Sequence, residues 1–100
     1  MVEVLTQEQL DEALMTLHEE WNVEDNDCLQ LTRQIEFGNF SKAIEFVYQL
    51  KEISEELNHT ADVLIHTQGQ FVEILLTTYE VEDLTQKDLD FAFRVDGLLM

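Results

Sequence analysis

Glu55-Glu56-Leu57-Asn58-His59-Thr60-Ala61-Asp62 is the stretch that decides how this chain is read. It stands where an amphipathic helix gives way to a strand, and it sets a carboxylate, Glu55, four residues ahead of His59. A helix turn takes about 3.6 residues, so these two side chains can share a face. Asn58 tolerates the left-handed conformation that ends many helices. A histidine just past a helix C-terminus is favoured by the exposed carbonyls and the dipole. On that account Glu55, Glu56 and Asp62 are a solvated acidic face. On the chemical account, this is the one place where acid–base groups gather beside a change of structure.

Working outward, the helix entering the stretch starts after Gly38-Asn39-Phe40-Ser41, with Asn39 or Ser41 as its cap. Ala43, Phe46, Val47, Leu50, Ile53 and Leu57 give it a broad apolar stripe. Beyond the stretch, Val63 to His66 reads as a strand, Thr67-Gln68-Gly69-Gln70 as a turn, and Phe71 to Thr78 as the returning strand. Val72, Ile74 and Leu76 share one face of it; Phe71, Glu73, Leu75 and Thr77 share the other. That second face is half apolar, which points to a partner or ligand against it.

Both ends of the chain open helices with the same device. Thr6-Gln7-Glu8-Gln9 is a capping box with Leu5 and Leu10 as its staple, and Leu10, Ala13, Leu14 and Leu17 form the stripe. This helix is expected from about residue 7 to about residue 20, with His18 at its end. Thr85-Gln86-Lys87-Asp88 is a second capping box between Leu84 and Leu89, which makes Asp88 a helix-capping carboxylate. Phe91, Ala92, Val95 and Leu99 follow at helical spacing.

Between the first two helices, Trp21-Asn22-Val23 reads as a short strand and Glu24-Asp25-Asn26-Asp27 as a turn. The acidic run lacks the glycine and distant glutamate of a calcium loop. Leu29 to Phe37 then alternates, with Arg33 interrupting the apolar face of Leu29, Leu31, Ile35 and Phe37. Arg33 there can snorkel at an edge, pair with a carboxylate, or anchor an anionic ligand. The expected order is α-β-β-α-β-β-α: an α+β fold with a four-stranded antiparallel sheet and its helices on one face.

One hundred residues, 45% of them hydrophobic, make a single domain spanning 1–100. Twenty-two acidic residues face five basic ones, for a net charge of -17. Five scattered cations give no basic patch, so nucleic acid is not an expected partner, and anionic membrane is disfavoured. The N-terminus lacks the pattern of a signal peptide, no apolar run approaches a membrane span, and Cys28 is a lone cysteine, so a cytoplasmic protein is expected. His18, His59 and His66 lie on separate elements without ligand spacing, and neither a metal nor a cofactor is expected.

The order of elements and several motifs resemble the pterin-4a-carbinolamine dehydratase family, whose members are also dimerization cofactors of a homeodomain transcription factor. The resemblance spans nearly the whole chain: Leu5-Thr6-Gln7-Glu8-Gln9, the Trp21 hairpin, Ile35-Glu36-Phe37 before Asn39-Phe40, Glu55-x-x-x-His59, Thr77-Thr78, and Leu84-Thr85-x-x-Asp88. It implies dehydration of 4a-hydroxytetrahydrobiopterin, with His59 transferring a proton and Glu55, Tyr79 and Asp88 assisting. It also implies substrate contacts from Thr60, Ala61, Asp62, Val63 and Thr78.

This chain departs from the family pattern at several points. Thr60 stands at the family's second histidine, Ala61 at its proline, Val63 at its aromatic residue and Tyr79 at its later histidine. Threonine cannot shuttle protons near neutrality, and a tyrosine of pKa about 10 is a poor base there. Weakened or absent dehydratase activity is therefore expected. The alternative is a non-catalytic oligomeric module with a protein partner, like the branch that assists Rubisco assembly. Either way the resemblance implies a homodimer or homotetramer. His59 falls in a connection, so its removal is expected to spare the fold.

Overall fold

The structure, a computed structural model, describes residues 3–68 and 70–99. The chain runs α1 (Gln7–Thr16), β1 (Asn22–Asn26), β2 (Cys28–Glu36), α2 (Phe40–Leu57), β3 (Asp62–His66), β4 (Phe71–Leu76) and α3 (Gln86–Leu99). Each hairpin pairs antiparallel, and the two second strands pair with each other, giving the sheet order β1-β2-β4-β3. This is the α+β arrangement expected from the alternation and helix spacing.

The β2–β4 register sets Leu31 opposite Leu76, Arg33 opposite Ile74 and Ile35 opposite Val72. Period-two alternation puts these six side chains on one face. All six are buried, together with Ala43, Phe46, Leu50 and Ile53 of α2 and Leu89, Phe91, Ala92 and Val95 of α3. Nearly every apolar stripe position expected for α2 and α3 thus lies in or against one core.

Capping fixes where the helices start and stop. Thr6 and Gln9 form the full reciprocal box on α1. The Asn39 side chain caps α2 at the Lys42 amide, and Asn58 ends it in the left-handed conformation at φ 52°, ψ 44°. Asparagine bears that conformation at less cost than most residues, which is why the helix stops one residue before His59.

Three boundaries differ from expectation. Helix α1 ends at Thr16, because Leu17 is extended at φ -70°, ψ 156° and the His18 amide donates to Asp96 Oδ2 at 2.9 Å. A tertiary acceptor has replaced the next intrahelical one. Strand β1 continues through the acidic run, and its hairpin reverses at Asp27, φ 59°, with Asn26 paired to Cys28. Aspartate is among the few side chains that visit φ > 0 readily. Strand β4 stops at Leu76; beyond it the Thr77 hydroxyl donates to Leu29 O at 2.8 Å, and Thr78 bridges Asp83. The expected turn of residues 67–70 joins β3 to β4, with Gly69 lying outside the described residues.

Arg33 has the carboxylate partner that its place on an apolar face demands. Its Nη1 donates to Asp96 Oδ1 at 2.5 Å, that oxygen also accepts from Trp21 Nε1 at 2.8 Å, and the guanidinium lies 5.5 Å from the Trp21 ring centroid. Arg33 is 5% exposed, so removing Asp96 strands a buried cation. Asp96→Ala is expected to destabilise the protein by about 3–5 kcal/mol in urea denaturation. A paired Arg33→Met and Asp96→Leu replacement is expected to recover part of that loss: it removes both charges together but leaves the Trp21 Nε1 and His18 amide donors without their acceptor.

Candidate active site

Asp88 sits in the first turn of α3 and is fully buried. Its carboxylate is satisfied from three elements. Oδ1 lies 2.6 Å from His59 Nε2, Oδ2 accepts from the Thr78 hydroxyl at 2.8 Å, and Oδ2 also accepts from the Thr85 amide at 3.0 Å. The last contact is the capping bond expected of Asp88, and the helix N-terminus favours negative charge there. An ionised carboxylate only accepts, so His59 Nε2 carries the proton of this bond. Neutral His59 is thereby left with Nδ1 as its free lone pair.

The other candidate residues fall into separate contacts. Glu55 does not reach His59; it pairs with Lys51 at 2.8 Å, one turn back on α2. Glu56 pairs with Arg94 of α3 at 2.5 Å. Asp62 accepts a hydrogen bond from the Tyr79 hydroxyl. Thr78 is buried and its hydroxyl is engaged with Asp88. His59 lies in the connection between α2 and β3, as expected, but is only 10% exposed there. Removing its ring takes a hydrogen bond from a fully buried carboxylate, a loss of about 1.5–3 kcal/mol.

Thr60, Ala61 and Val63 line a cavity of about 340 Å³ together with Glu55, Lys51, Ser54, Val47, Leu50 and Phe91. Its size falls at the small end of ligand sites, and its walls are mostly apolar with a few polar groups, as such sites are. The lining follows His59 directly in the chain and includes Phe91, three residues past Asp88. His59, Asp62, Thr78, Tyr79 and Asp88 are not part of it. A wider depression of about 900 Å³ lies on the open face of the sheet, lined by residues that include Glu20, Glu24, Glu36, Glu73, Thr32 and Phe71. None of the candidate site residues lines it. Among the described residues, no three His, Cys, Asp or Glu side chains gather so as to hold a metal ion.

Sequence reasoning missed Asp96 and the Thr85 hydroxyl. In sequence Asp96 is one more acid in an acidic chain; the available cue is an arginine on an apolar strand face, which calls for a carboxylate partner. Thr85 reads as a capping hydroxyl, yet the Asp88 amide is met by the Thr85 carbonyl at 3.1 Å. The Thr85 hydroxyl lies instead 2.7 Å from the Thr78 hydroxyl.

The structure is that of a small α+β protein with a buried, hydrogen-bonded His–Asp pair at the junction of a helix end and a four-stranded antiparallel sheet. Comparison gives the family. The family model described as pterin 4 alpha carbinolamine dehydratase matches residues 3–98, and the chain belongs to that family. A Nostoc punctiforme relative, provisionally named pterin-4-alpha-carbinolamine dehydratase, is 38% identical over 98% of this chain and 99% of its own. A similarly named Picosynechococcus protein is 37% identical over 87% of this chain and 89% of its own. The crystal structure of a transcriptional coactivator/pterin dehydratase from Brucella melitensis superposes with a TM-score of 0.84 at 26% identity, covering 96% of this chain and 98% of that one. A pterin dehydratase-like protein described as a RuBisCO assembly factor in the alpha-carboxysome shares the fold, with a TM-score of 0.65 at 24% identity over 81% of this chain and 90% of that one.

The bond to Asp62 holds the Tyr79 phenol above the usual tyrosine range, with partial desolvation and the Asp62 charge adding to the shift. A raised folded pKa favours the protonated phenol in the native state. The stabilisation is thus present below the ordinary value of about 10 and is lost as pH climbs through the folded value. In a Tyr48→Phe background, tyrosinate absorbance should show Tyr79 titrating late. Adding Asp62→Asn should bring the midpoint back down.

Proposed function

We propose that this protein is a pterin-4a-carbinolamine dehydratase-like protein in which dehydration of 4a-hydroxytetrahydrobiopterin to the quinonoid dihydrobiopterin and water is weakened or lost. His59 is the remaining proton-transfer group. The observation that carries this reading is the His59–Asp88 pair, with its 2.6 Å contact and a fully buried carboxylate behind it.

The reaction removes a proton from the pterin ring and delivers one to the departing hydroxide. An imidazole oriented through Nε2 offers Nδ1 for either task near neutrality. The second task lacks a comparable group. Thr60 does not titrate in this range, and Tyr79 is bound to Asp62 with its phenol pushed further from neutrality. Each positioned proton-transfer group is worth about a hundred- to ten-thousand-fold in rate. On this reading the cavity of Thr60, Ala61, Val63 and Phe91 supplies apolar walls for the pterin, and Glu55 sits at its margin.

A second reading is favoured by the fold shared with the RuBisCO assembly factor: a non-catalytic binding or assembly module with a protein partner. Both readings include a cytoplasmic homo-oligomer without nucleic-acid or membrane partners. No helix among the described residues is long and apolar enough to cross a membrane. The apolar side of β4 motivated the oligomer in sequence, but Phe71 and Leu75 are already partly covered. Phe40, Ile44 and Tyr48, one face of α2, are 55%, 42% and 60% exposed and make the better contact surface.

The dehydratase assay separates the readings. A low wild-type rate is expected, lost in His59→Gln, which keeps a donor for Asp88 without a titrating ring. Thr60→His combined with Tyr79→His should exceed either single change. No wild-type rate with a gain in the double variant supports the assembly module. A wild-type rate untouched by His59→Gln overturns the assignment of His59. For the oligomer, sedimentation in moderate salt should show at least a dimer that Ile44→Asp with Tyr48→Asp dissociates; a wild-type monomer at micromolar concentration would refute it.

A further inference from the structure

Thr78 and Thr85 are buried hydroxyls that the proposed reaction leaves unassigned, and each departs from the use its sequence context implies. Thr85 begins a capping box, where its hydroxyl would accept from the Asp88 amide. Its carbonyl meets that amide instead, and the hydroxyl turns toward Thr78 Oγ1 at 2.7 Å. Thr78 matches a substrate-contacting position, yet its hydroxyl donates to Asp88 Oδ2 at 2.8 Å.

Each hydroxyl has one proton. The Thr78 proton is committed to Asp88, so Thr85 must donate to Thr78. The chain is thus ordered in one direction: Thr85 hydroxyl to Thr78 hydroxyl to Asp88 Oδ2, with Asp88 Oδ1 accepting from His59 Nε2–H. Thr78, Thr85 and Asp88 are 5%, 2% and 0% exposed, so water does not compete along it. The other acids nearest in sequence to His59 are occupied elsewhere: Glu55 with Lys51, Glu56 with Arg94 and Asp62 with Tyr79.

We propose that Thr78 and Thr85 form a hydroxyl relay that keeps Asp88 an ionised, acceptor-only carboxylate and so fixes His59 in its Nε2–H tautomer. Both are positioning residues that act through Asp88, and Thr78 does not touch substrate. Their catalytic meaning rests on His59 transferring the proton in the proposed dehydration, whereas the relay itself is a property of the protein without substrate.

The test is nitrogen-resolved NMR of the His59 ring in pterin-free protein across a pH titration. Wild type should show neutral His59 as the Nε2–H tautomer; an Nδ1–H tautomer overturns the relay. Thr78→Val removes a donor that shares the Asp88 charge, leaves His59 as its main side-chain partner, and should move the His59 midpoint upward. Thr78→Ser should restore it. A folded Thr78→Val protein with an unmoved midpoint overturns the proposal. Should Thr78→Val fail to fold, Thr85→Val decides: a smaller upward shift supports the relay and no shift overturns it. Where wild type is active, Thr78→Val should lower kcat with KM unchanged, and a rise in KM alone overturns the claim that Thr78 is not a substrate contact. Wild type without activity removes the catalytic reading and leaves the ring titration to judge the relay.

Discussion

The fold closes around the Asp88 carboxylate. A fully buried ionised group is tolerated only when its lone pairs are met, and here the donors come from three places: the end of α2, the exit of β4 and the start of α3. Bringing them together requires the Asn58 turn, the Thr78–Asp83 bridge and the entry angle of α3 to be right at once. The dipole of α3 helps, since its N-terminus faces the charge. One group thus links helix termination, sheet exit and His59.

Helix α3 carries a second engaged carboxylate in its last turn, and there the dipole works against it. Asp96 is held by a buried arginine, an indole N–H and a backbone amide. The two aspartates face opposite electrostatic problems on one helix, and the fold solves each with different donors. In a chain of net charge -17 this matters, because most of its acids can stay in water and repel one another there. Asp88 and Asp96 are the acids that tie α3 to the rest of the chain, one at each end.

What could be read from sequence was local. The Thr6–Gln9 box, the left-handed Asn58, the alternation of Leu31 to Ile35 and the stripe of α2 each depend on residues within a turn or two of one another. What escaped depends on which of several competing partners wins, near or far along the chain. The early end of α1 follows from Asp96 taking the His18 amide across 78 positions. The reach of β1 through acidic residues follows from pairing with β2, which outweighs the turn preference of Glu24, Asp25 and Asn26. The Thr85 hydroxyl kept its capping sequence while turning to Thr78. Glu55 and His59 had the spacing for contact, but Lys51 was an equally spaced and oppositely charged competitor.

Asp88 would remain useful to this fold without any chemistry, since it caps α3 and anchors two neighbouring segments. The presence of Asp88 and His59 is therefore compatible with both an enzyme and a retired scaffold. Thr85 is more discriminating. A capping hydroxyl on the Asp88 amide is worth about 1 kcal/mol to a helix, and stability alone gives Thr85 reason to supply it. The hydroxyl instead joins Thr78 behind a carboxylate already satisfied from its own helix, and in the proposed relay the direction of that chain sets which nitrogen of His59 bears the proton. Such order is of little use to a helix cap and of direct use to a proton-transfer imidazole. On the proposed reading the arrangement behind His59 serves proton transfer, while Thr60 and the Asp62-bound Tyr79 place no second imidazole beside it.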